Sequence, residues 1–135
     1  MNHDSEHWVE KRAKCTINRI FSDMYSKAIG DVHVANEHIQ RSNGYLSFSV
    51  RFQNPLPAPG MPKTHFKVTS SLGEGGVDFH IENGEILISP NLKVTKQWNV
   101  KKRRCDLYVQ VGDESPKKHT MDQILQMALE GLFFD

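Results

Sequence analysis

Apolar residues near the start of the chain recur at steps of three and four, the spacing that places side chains on one face of an α-helix. The pattern predicts an amphipathic helix over residues 5–29, with Asp4 or Ser5 as its N-terminal cap and Gly30 as its end. Its predicted buried face consists of Ala13, Ile17, Ile20, Phe21, Met24 and Ala28. The first element is therefore a long helix with one side against a core.

The next segment, residues 31–41, fits two structures. Val32 and Val34 alternate with polar residues as they would in a strand, whereas Asp31 suits the N-terminal cap of a short helix that would reach Ile39. The pattern alone does not choose between them, and the Ser-Asn-Gly sequence that follows predicts a turn after either element.

From Tyr45 onward apolar and polar residues alternate, which is the period of a β-strand with one dry and one wet face. The clearest strand covers residues 45–52. Asn83 and Gly84 between two apolar runs predict a two-residue hairpin turn, because both of its positions need positive φ. Further strands are predicted at residues 64–70, 77–82, 85–88, 92–100 and 105–111, with a charged loop at 112–119.

Two segments outside the predicted strands carry information about packing. Residues 54–62 include four prolines, which preclude regular strand pairing and favour a stiff connection or a partner-binding loop. Thr120 and Gln123 match a capping box and predict a short helix that ends at Gly131. The apolar residues 132–134 should then pack on the body of the protein or on a partner.

The order of elements predicts a single α+β domain over residues 1–135. It is an antiparallel meander sheet of five or six strands, with a long N-terminal helix and a short C-terminal helix packed on one face. The alternation leaves the other face of the sheet to water. Sheets covered by helices in this way serve inhibitors, chaperones, adaptors and small enzymes, so the architecture alone does not indicate a function.

Composition and charge exclude several classes of protein. The chain has 135 residues, of which 38% are hydrophobic and 24% charged, unlike collagen-like, coiled-coil or wholly disordered chains. The formal net charge of +1 gives no overall bias toward nucleic acid or membrane surfaces. No apolar run approaches the roughly 20 residues of a membrane helix, so no membrane partner is expected. The polar start lacks the features of a secretory signal, which makes the cytoplasm the expected compartment.

The two cysteines, Cys15 and Cys105, lie far apart in the chain. In a chain with no export signal, this arrangement favours two reduced thiols over a disulfide. Both fall next to apolar positions, so both are expected to be small core residues.

A basic run beside an aromatic residue forms the first candidate binding surface. The strand at residues 92–100 places Leu92, Val94, Trp98 and Val100 on its dry face, and six Lys and Arg lie within the twelve positions 93–104. Rings that stack on bases and cations that contact phosphates are the requirements of single-stranded nucleic acid binding. The candidate binding residues are Lys93, Lys96, Trp98, Lys101, Lys102, Arg103, Arg104 and Tyr108. An acidic protein is an alternative partner, and a solvated hairpin is the simplest alternative interpretation.

Two weaker clusters contain histidine and carboxylate. Asp78, His80 and Glu82 share one face of a predicted strand, and they could hold a metal or exchange protons, although their spacing along one strand is wide for cooperation. His33 and Glu37 would be neighbours if their segment is helical. Both clusters are more simply explained as polar surface, so neither metal nor cofactor is expected and no catalytic residue is assigned.

The sequence therefore predicts a non-enzymatic protein-binding domain of the adaptor, inhibitor or chaperone-like kind, whose partner is another protein or a second copy of the chain. The absence of catalytic signatures, the proline-rich connection and the apolar end of the chain support it. One alternative is a nucleic-acid-binding domain that uses the basic and aromatic residues of the open sheet face. Another is a small enzyme or ligand-binding domain with a pocket between helix and sheet, walled by Trp98, Phe66 and Met24.

Overall fold

The computed structural model of the chain describes residues 3–43, 47–52, 64–71 and 75–134. In chain order the elements are α1 (His3–Ala13), α2 (Ile17–Asn43), β1 (Phe48–Phe52), β2 (His65–Ser70), β3 (Val77–Glu82), β4 (Glu85–Ile88), β5 (Leu92–Asn99), β6 (Arg104–Val111), β7 (Lys117–His119) and α3 (Met121–Phe134). The proline-rich connection and Tyr45, which entered the sequence predictions, lie outside the described residues.

The strands within the described ranges form one antiparallel sheet in the order β1 to β7, which is a meander. The predicted α+β architecture is confirmed, but the sheet has seven strands instead of five or six. The additional strand, β7, lies in the segment predicted to be a charged loop. Its sequence, Lys117-Lys118-His119, is too short and too polar to show alternation. The strand is instead defined by its pairing with β6.

The β3–β4 hairpin matches its prediction residue for residue. Asn83 and Gly84 have φ values of 52° and 75°, as the two-residue turn requires. Glu82 and Glu85 pair directly across the turn. A local sequence signal was sufficient here because the turn fixes the register of its own strands.

The structure differs from the predicted first helix in two places, a break in its interior and its C-terminal end. The chain turns at residues 14–16, and the backbone N–H of Arg19 donates to Thr16 Oγ1 at 3.3 Å, so Thr16 caps a separate helix α2. Ala13, assigned to the buried face, is exposed at the end of α1. Gly30 does not end α2, because Val32 and Ala35 continue the apolar spacing and are buried. The ambiguous segment 31–41 is therefore helical.

The core lies between the helices and one face of the sheet, here called the inner face. Phe66 of β2 stacks on Phe79 of β3 with ring centroids 4.4 Å apart, and Phe21 of α2 packs against Phe66 at 5.2 Å. Helix α3 contributes Ile124, Leu125 and Leu129 to the same cluster. The opposite face of the sheet, here called the outer face, carries polar and charged residues as predicted.

Cys15 and Cys105 form a disulfide with an S–S distance of 2.07 Å, so the prediction of two reduced thiols is wrong. The bond joins the turn between α1 and α2 to the start of β6 across 90 positions of sequence. Separation along the chain misled the prediction, because the fold brings the two Cα atoms within 5.3 Å. Among the described helices, none is both long enough and apolar enough to cross a membrane.

Candidate functional site

Helix α3 lies beside α2, and its first turn fixes that placement. Thr120 and Gln123 form the predicted capping box: the Thr120 N–H donates to Gln123 Oε1 at 2.9 Å and the Gln123 N–H donates to Thr120 Oγ1 at 3.2 Å. Lys27 of α2 reaches Asp122 of α3, with Nζ and Oδ1 2.6 Å apart. The contact of Lys27 with Asp122 joins the two helices, which leave a groove between them.

The groove between α2 and α3, here called the interhelical groove, has a volume of about 370 Å³ and an apolar floor. Val34 of α2 and Phe134 of α3 line it while 52% and 72% exposed. Phe133 packs its ring against Phe48 of β1 at 4.8 Å, whereas Phe134 contacts Phe133 at 6.3 Å and points its exposed ring to solvent. The apolar end of the chain is thus only partly covered by the body of the protein.

Carboxylates form the rim of the interhelical groove. Asp31, Asp122 and Glu130 line it, and Lys27 is the cation paired with Asp122. Burial raises the pKa of Asp31, Lys27 lowers it, and the nearby Asp122 carboxylate raises it again, with a net increase. The hydrogen bond and charge of Asp122 raise the pKa of Lys27. An apolar floor with an acidic rim can accept an apolar side chain that has Lys or Arg beside it.

The structure does not assemble the eight predicted basic and aromatic residues into one surface. Lys93 and Tyr108 lie on the outer face, since Lys93 pairs with Gln110 and Thr95 with Tyr108. Lys96 and Trp98 lie on the opposite side of β5, where Trp98 pairs with Cys105. The Arg12 guanidinium covers the Trp98 ring at 5.6 Å from its centroid.

Two of the predicted cations, Lys93 and Arg104, are paired with carboxylates. Lys93 Nζ lies 3.8 Å from Glu85 Oε1, and Arg104 Nε lies 2.9 Å from Asp106 Oδ1. Lys118 Nζ also reaches Asp106 at 3.4 Å. The two carboxylates offset part of the positive charge of these three cations, so the outer face at these strands is less basic than the sequence suggested.

Asp106 is a buried carboxylate that the sequence prediction did not single out. Its side chain is only 6% exposed, although alternation places it on the outer face. Burial opposes ionisation, but hydrogen bonds from Asn99, Arg104 and Lys118 outweigh that effect and lower the pKa of Asp106. Through Asp106, the cluster joins Asn99 at the end of β5 and Lys118 of β7 to β6.

The remaining predicted cations lie in the turn between β5 and β6. Val100, Lys101, Lys102 and Arg103 form this turn, here called the basic turn, and all four are exposed. Ion pairs among the described residues do not include its three cations. Val100, predicted to lie on the dry face of the strand, is instead 76% exposed because the strand ends before it.

The histidine and carboxylate clusters form separate pairs. His65 Nε2 lies 2.9 Å from Asp78 Oδ1, and His80 Nε2 lies 3.3 Å from Glu82 Oε2. Within the described ranges, no group of three or more His, Cys, Asp or Glu could hold a metal ion. The row on β3 is thus divided, because Asp78 contacts His65 of β2 whereas His80 contacts Glu82 of its own strand.

His33 and Glu37 of α2 are neighbours at 3.4 Å, the pairing expected if their segment is helical. Both side chains are exposed on the surface of the helix. This contact therefore lies on the exposed surface of α2 and does not form a site by itself.

Two further clefts differ in chemistry from the interhelical groove. One, of about 480 Å³, lies where β6 and β7 meet the start of α3, and its charged Arg104 and Lys118 are already bonded to Asp106. The other, of about 350 Å³, lies between α2 and β1. There Asn36 Nδ2 donates to the Phe48 carbonyl at 3.0 Å, and the Phe48 N–H donates to Asn36 Oδ1 at 2.7 Å, which closes the edge of β1 at this residue.

Met24 and Phe66, two predicted walls of a ligand pocket, are fully buried in the core. Neither they nor Trp98 lines any of the three clefts described above. The residues of the interhelical groove were missed because segment 31–41 was ambiguous, and Val100 was missed because alternation assigned it to the core. The signals that could have found them are the continued apolar spacing of α2 and the three cations next to Val100.

No family model, curated protein or solved structure matches the chain. The surfaces described above are therefore the observations from which a function can be inferred. Of these, the interhelical groove combines exposed apolar side chains with a defined charge pattern.

Proposed function

We propose that the chain is a non-enzymatic protein-binding domain and that the interhelical groove is its binding surface. The observation that carries the proposal is the exposure of Val34 and Phe134 in one groove. Scattered exposed apolar residues are normal, but two such side chains lining one concave site are typical of an interaction surface.

The rim of the groove defines the chemistry of the partner. Asp31, Asp122 and Glu130 favour a segment that carries Lys or Arg next to an apolar anchor. Asp31 is partly buried, and burial disfavours its ionised carboxylate. A partner cation beside Asp31 would stabilise that ionised form. The apolar anchor supplies most of the affinity, and the charges select the partner.

Selection from a random displayed peptide library tests the proposal. Selected peptides should combine an apolar anchor with Lys or Arg, and Phe134→Ser and Val34→Ser should each weaken their binding by about tenfold. Val9→Ser is the matched control, because Val9 is 53% exposed on a helix that does not line the groove.

Failure to select any peptide would contradict the proposal. So would peptides whose affinity is the same for the native chain, Phe134→Ser and Val34→Ser. Circular dichroism of each variant checks that the fold is retained, which is expected because both positions are exposed.

A second candidate function is single-stranded nucleic acid binding at the basic turn, favoured by its three exposed cations. This function needs an affinity for oligonucleotides that falls steeply with salt and is abolished by Lys102→Glu with Arg103→Glu. The pairing of Lys93 and Arg104 with carboxylates and the position of Trp98 on the other side of β5 weigh against it.

The cytoplasmic location predicted from the sequence stays a proposal, and the disulfide makes it testable. Disulfides persist in oxidising compartments and are rare in the cytosol, where thiols are kept reduced. Because Cys15 is buried, the cells are quenched with acid and the protein is alkylated after unfolding; both Cys15 and Cys105 should then be modified if the protein resides in the cytoplasm. Protection of both from alkylation would contradict that location.

A further inference from the structure

The basic turn has the chemistry that the interhelical groove requires. Val100 has the highest exposure among the large apolar side chains of the described residues. Lys101, Lys102 and Arg103 follow it directly and are exposed as well. The chain thus carries both an acidic groove with an apolar floor and an apolar anchor flanked by cations.

The basic turn is held in a defined conformation. The Lys102 N–H donates to Asn99 Oδ1 at 3.0 Å, and Asn99 Nδ2 donates to Asp106 Oδ2 at 3.3 Å. Arg103 has a φ of 50°, which closes the turn. The two strands that carry the turn are paired over eight positions, from Leu92 with Val111 to Asn99 with Arg104. A fixed turn on a fully paired hairpin loses little conformational entropy on binding.

We propose that the basic turn of one copy of the chain docks in the interhelical groove of a second copy, with Val100 on the apolar floor and the three cations along the acidic rim. This inference rests on the proposed function, for which it names the partner. Three cations then face the carboxylates of Asp31, Asp122 and Glu130, of which only Asp122 has a cation, Lys27, of its own chain among the ion pairs of the described residues.

The contact joins two different surfaces, so it is head-to-tail. Each copy offers one turn and one groove, and association continues until a ring closes or a chain of copies forms. The smallest ring is a dimer in which each turn occupies the other copy's groove. The contact area is small and its charges lie near water, so association is weak, strengthens at high protein concentration and weakens as salt screens the charges.

Analytical ultracentrifugation from micromolar to millimolar protein, at low and at physiological salt, tests this inference. The native chain should sediment faster as concentration rises. Val100→Ser, Lys102→Glu and Glu130→Lys should each lower the association constant by about tenfold or more. Lys11→Glu, at an exposed position of α1, is the control for a charge reversal outside the contact.

Mixing two variants gives the most specific readout. Lys102→Glu places an acid on the turn, and Glu130→Lys places a cation on the rim, so the equimolar mixture should associate more strongly than either variant alone. Lys11→Glu mixed with Glu130→Lys brings together the same two net charges and should associate no better than Lys11→Glu alone, which separates the contact of turn and groove from a general effect of net charge.

Two outcomes would overturn the inference. One is a native chain that sediments as a monomer throughout the concentration range at low salt, and the other is a mixture that associates no better than its components. Neither outcome touches the selection of peptides by the groove, so the proposed function would stand. If the selected peptides bind Phe134→Ser as well as they bind the native chain, both the proposed function and this inference are contradicted.

Discussion

Asp106 shows how one residue can join several elements. Its carboxylate accepts hydrogen bonds from Asn99 of β5 and Arg104 of β6, and Lys118 of β7 lies within 3.4 Å. The ionised form is the one these donors stabilise, so the pKa of the carboxyl is lowered in the folded protein. The basic turn depends on the same cluster through Asn99.

Asp106→Asn should destabilise the protein in a pH-dependent way. Because the folded-state pKa is lowered, the contribution of the ionised carboxylate is fully present above the unfolded value of about 3.9 and is lost as pH falls through the folded value. Urea unfolding of the native chain and the variant should therefore show a large difference near neutral pH that shrinks at strongly acidic pH. Asp113→Asn, in an exposed loop, is the control, and a difference that does not change with pH would contradict the argument.

Two glycines differ in backbone conformation but not in the space around them. A Cβ added at Gly30 in α2 or at Gly84 in the β3–β4 turn would meet no atom within 4 Å. Gly84 has a φ of +75°, whereas Gly30 lies inside a helix. The two positions therefore separate the cost of a backbone conformation from the cost of a steric clash.

The same substitution should have opposite effects at these two positions. Gly84→Ala should lower the free energy of unfolding by about 1 to 2 kcal/mol, because an L-residue is strained at this φ. Gly30→Ala should raise it by about 1 kcal/mol, because alanine is the better helix former. Chemical denaturation measures both, and a shift of the same sign in the two variants would be inconsistent with the assigned conformations.

Helix α1 ends two residues before the disulfide, which ties this end of it to β6. Its side chains from Trp8 to Ala13, and the following Lys14, are exposed. It is fastened at its end by the disulfide of Cys15 and by the contact of Arg12 with Trp98. A helix of eleven residues is marginal in water by itself, so α1 should depend on these attachments.

Replacing Cys15 and Cys105 together by alanine should destabilise the whole protein and α1 most of all. In the chain-entropy model a disulfide across 90 positions contributes about 4 to 5 kcal/mol to the free energy of unfolding. Hydrogen exchange should show that amides of α1 lose more protection than the drop in global stability accounts for, with amides of α2 as the reference. Equal losses in the two helices would show that α1 is held by other contacts.

At the scale of the molecule, one core connects the sheet with α2 and α3. Phe21 of α2, Phe66 of β2 and Leu129 of α3 belong to the same buried cluster. The net charge of +1 conceals a local separation, since the basic turn and the acidic groove lie on different elements. We expect the shared core to make these elements one folding unit. The charge separation is what the proposed self-association uses.

A shared core predicts a single cooperative unfolding transition with the disulfide intact. Far-UV circular dichroism follows the helices, while the fluorescence of the two tryptophans, Trp8 and Trp98, follows α1 and the β5–β6 hairpin. The two curves should coincide on a denaturant axis. Transitions at different midpoints would divide the chain into separately stable parts and contradict the single domain predicted over residues 1–135.

Local periodicity accounts for what could be predicted. The strands from β1 to β6, the Asn83–Gly84 turn, the capping box of α3 and the buried face of α2 each depend on residues a few positions apart, whose spacing determines which side chains share a face. Periodicity did not predict β7, whose three polar residues show no alternation, and it did not predict that α2 continues through Gly30.

Tertiary structure determines three further features: the disulfide, the burial of Asp106 and the interhelical groove. Each brings together residues that no local period relates, such as Cys15 with Cys105 or Val34 with Phe134. Contacts of this kind depend on how the elements pack, and packing is set by the whole set of buried side chains at once. Alternation assigned Trp98 its side of β5, but only the pairing of β5 with β6 ended the strand before Val100 and left that side chain in water.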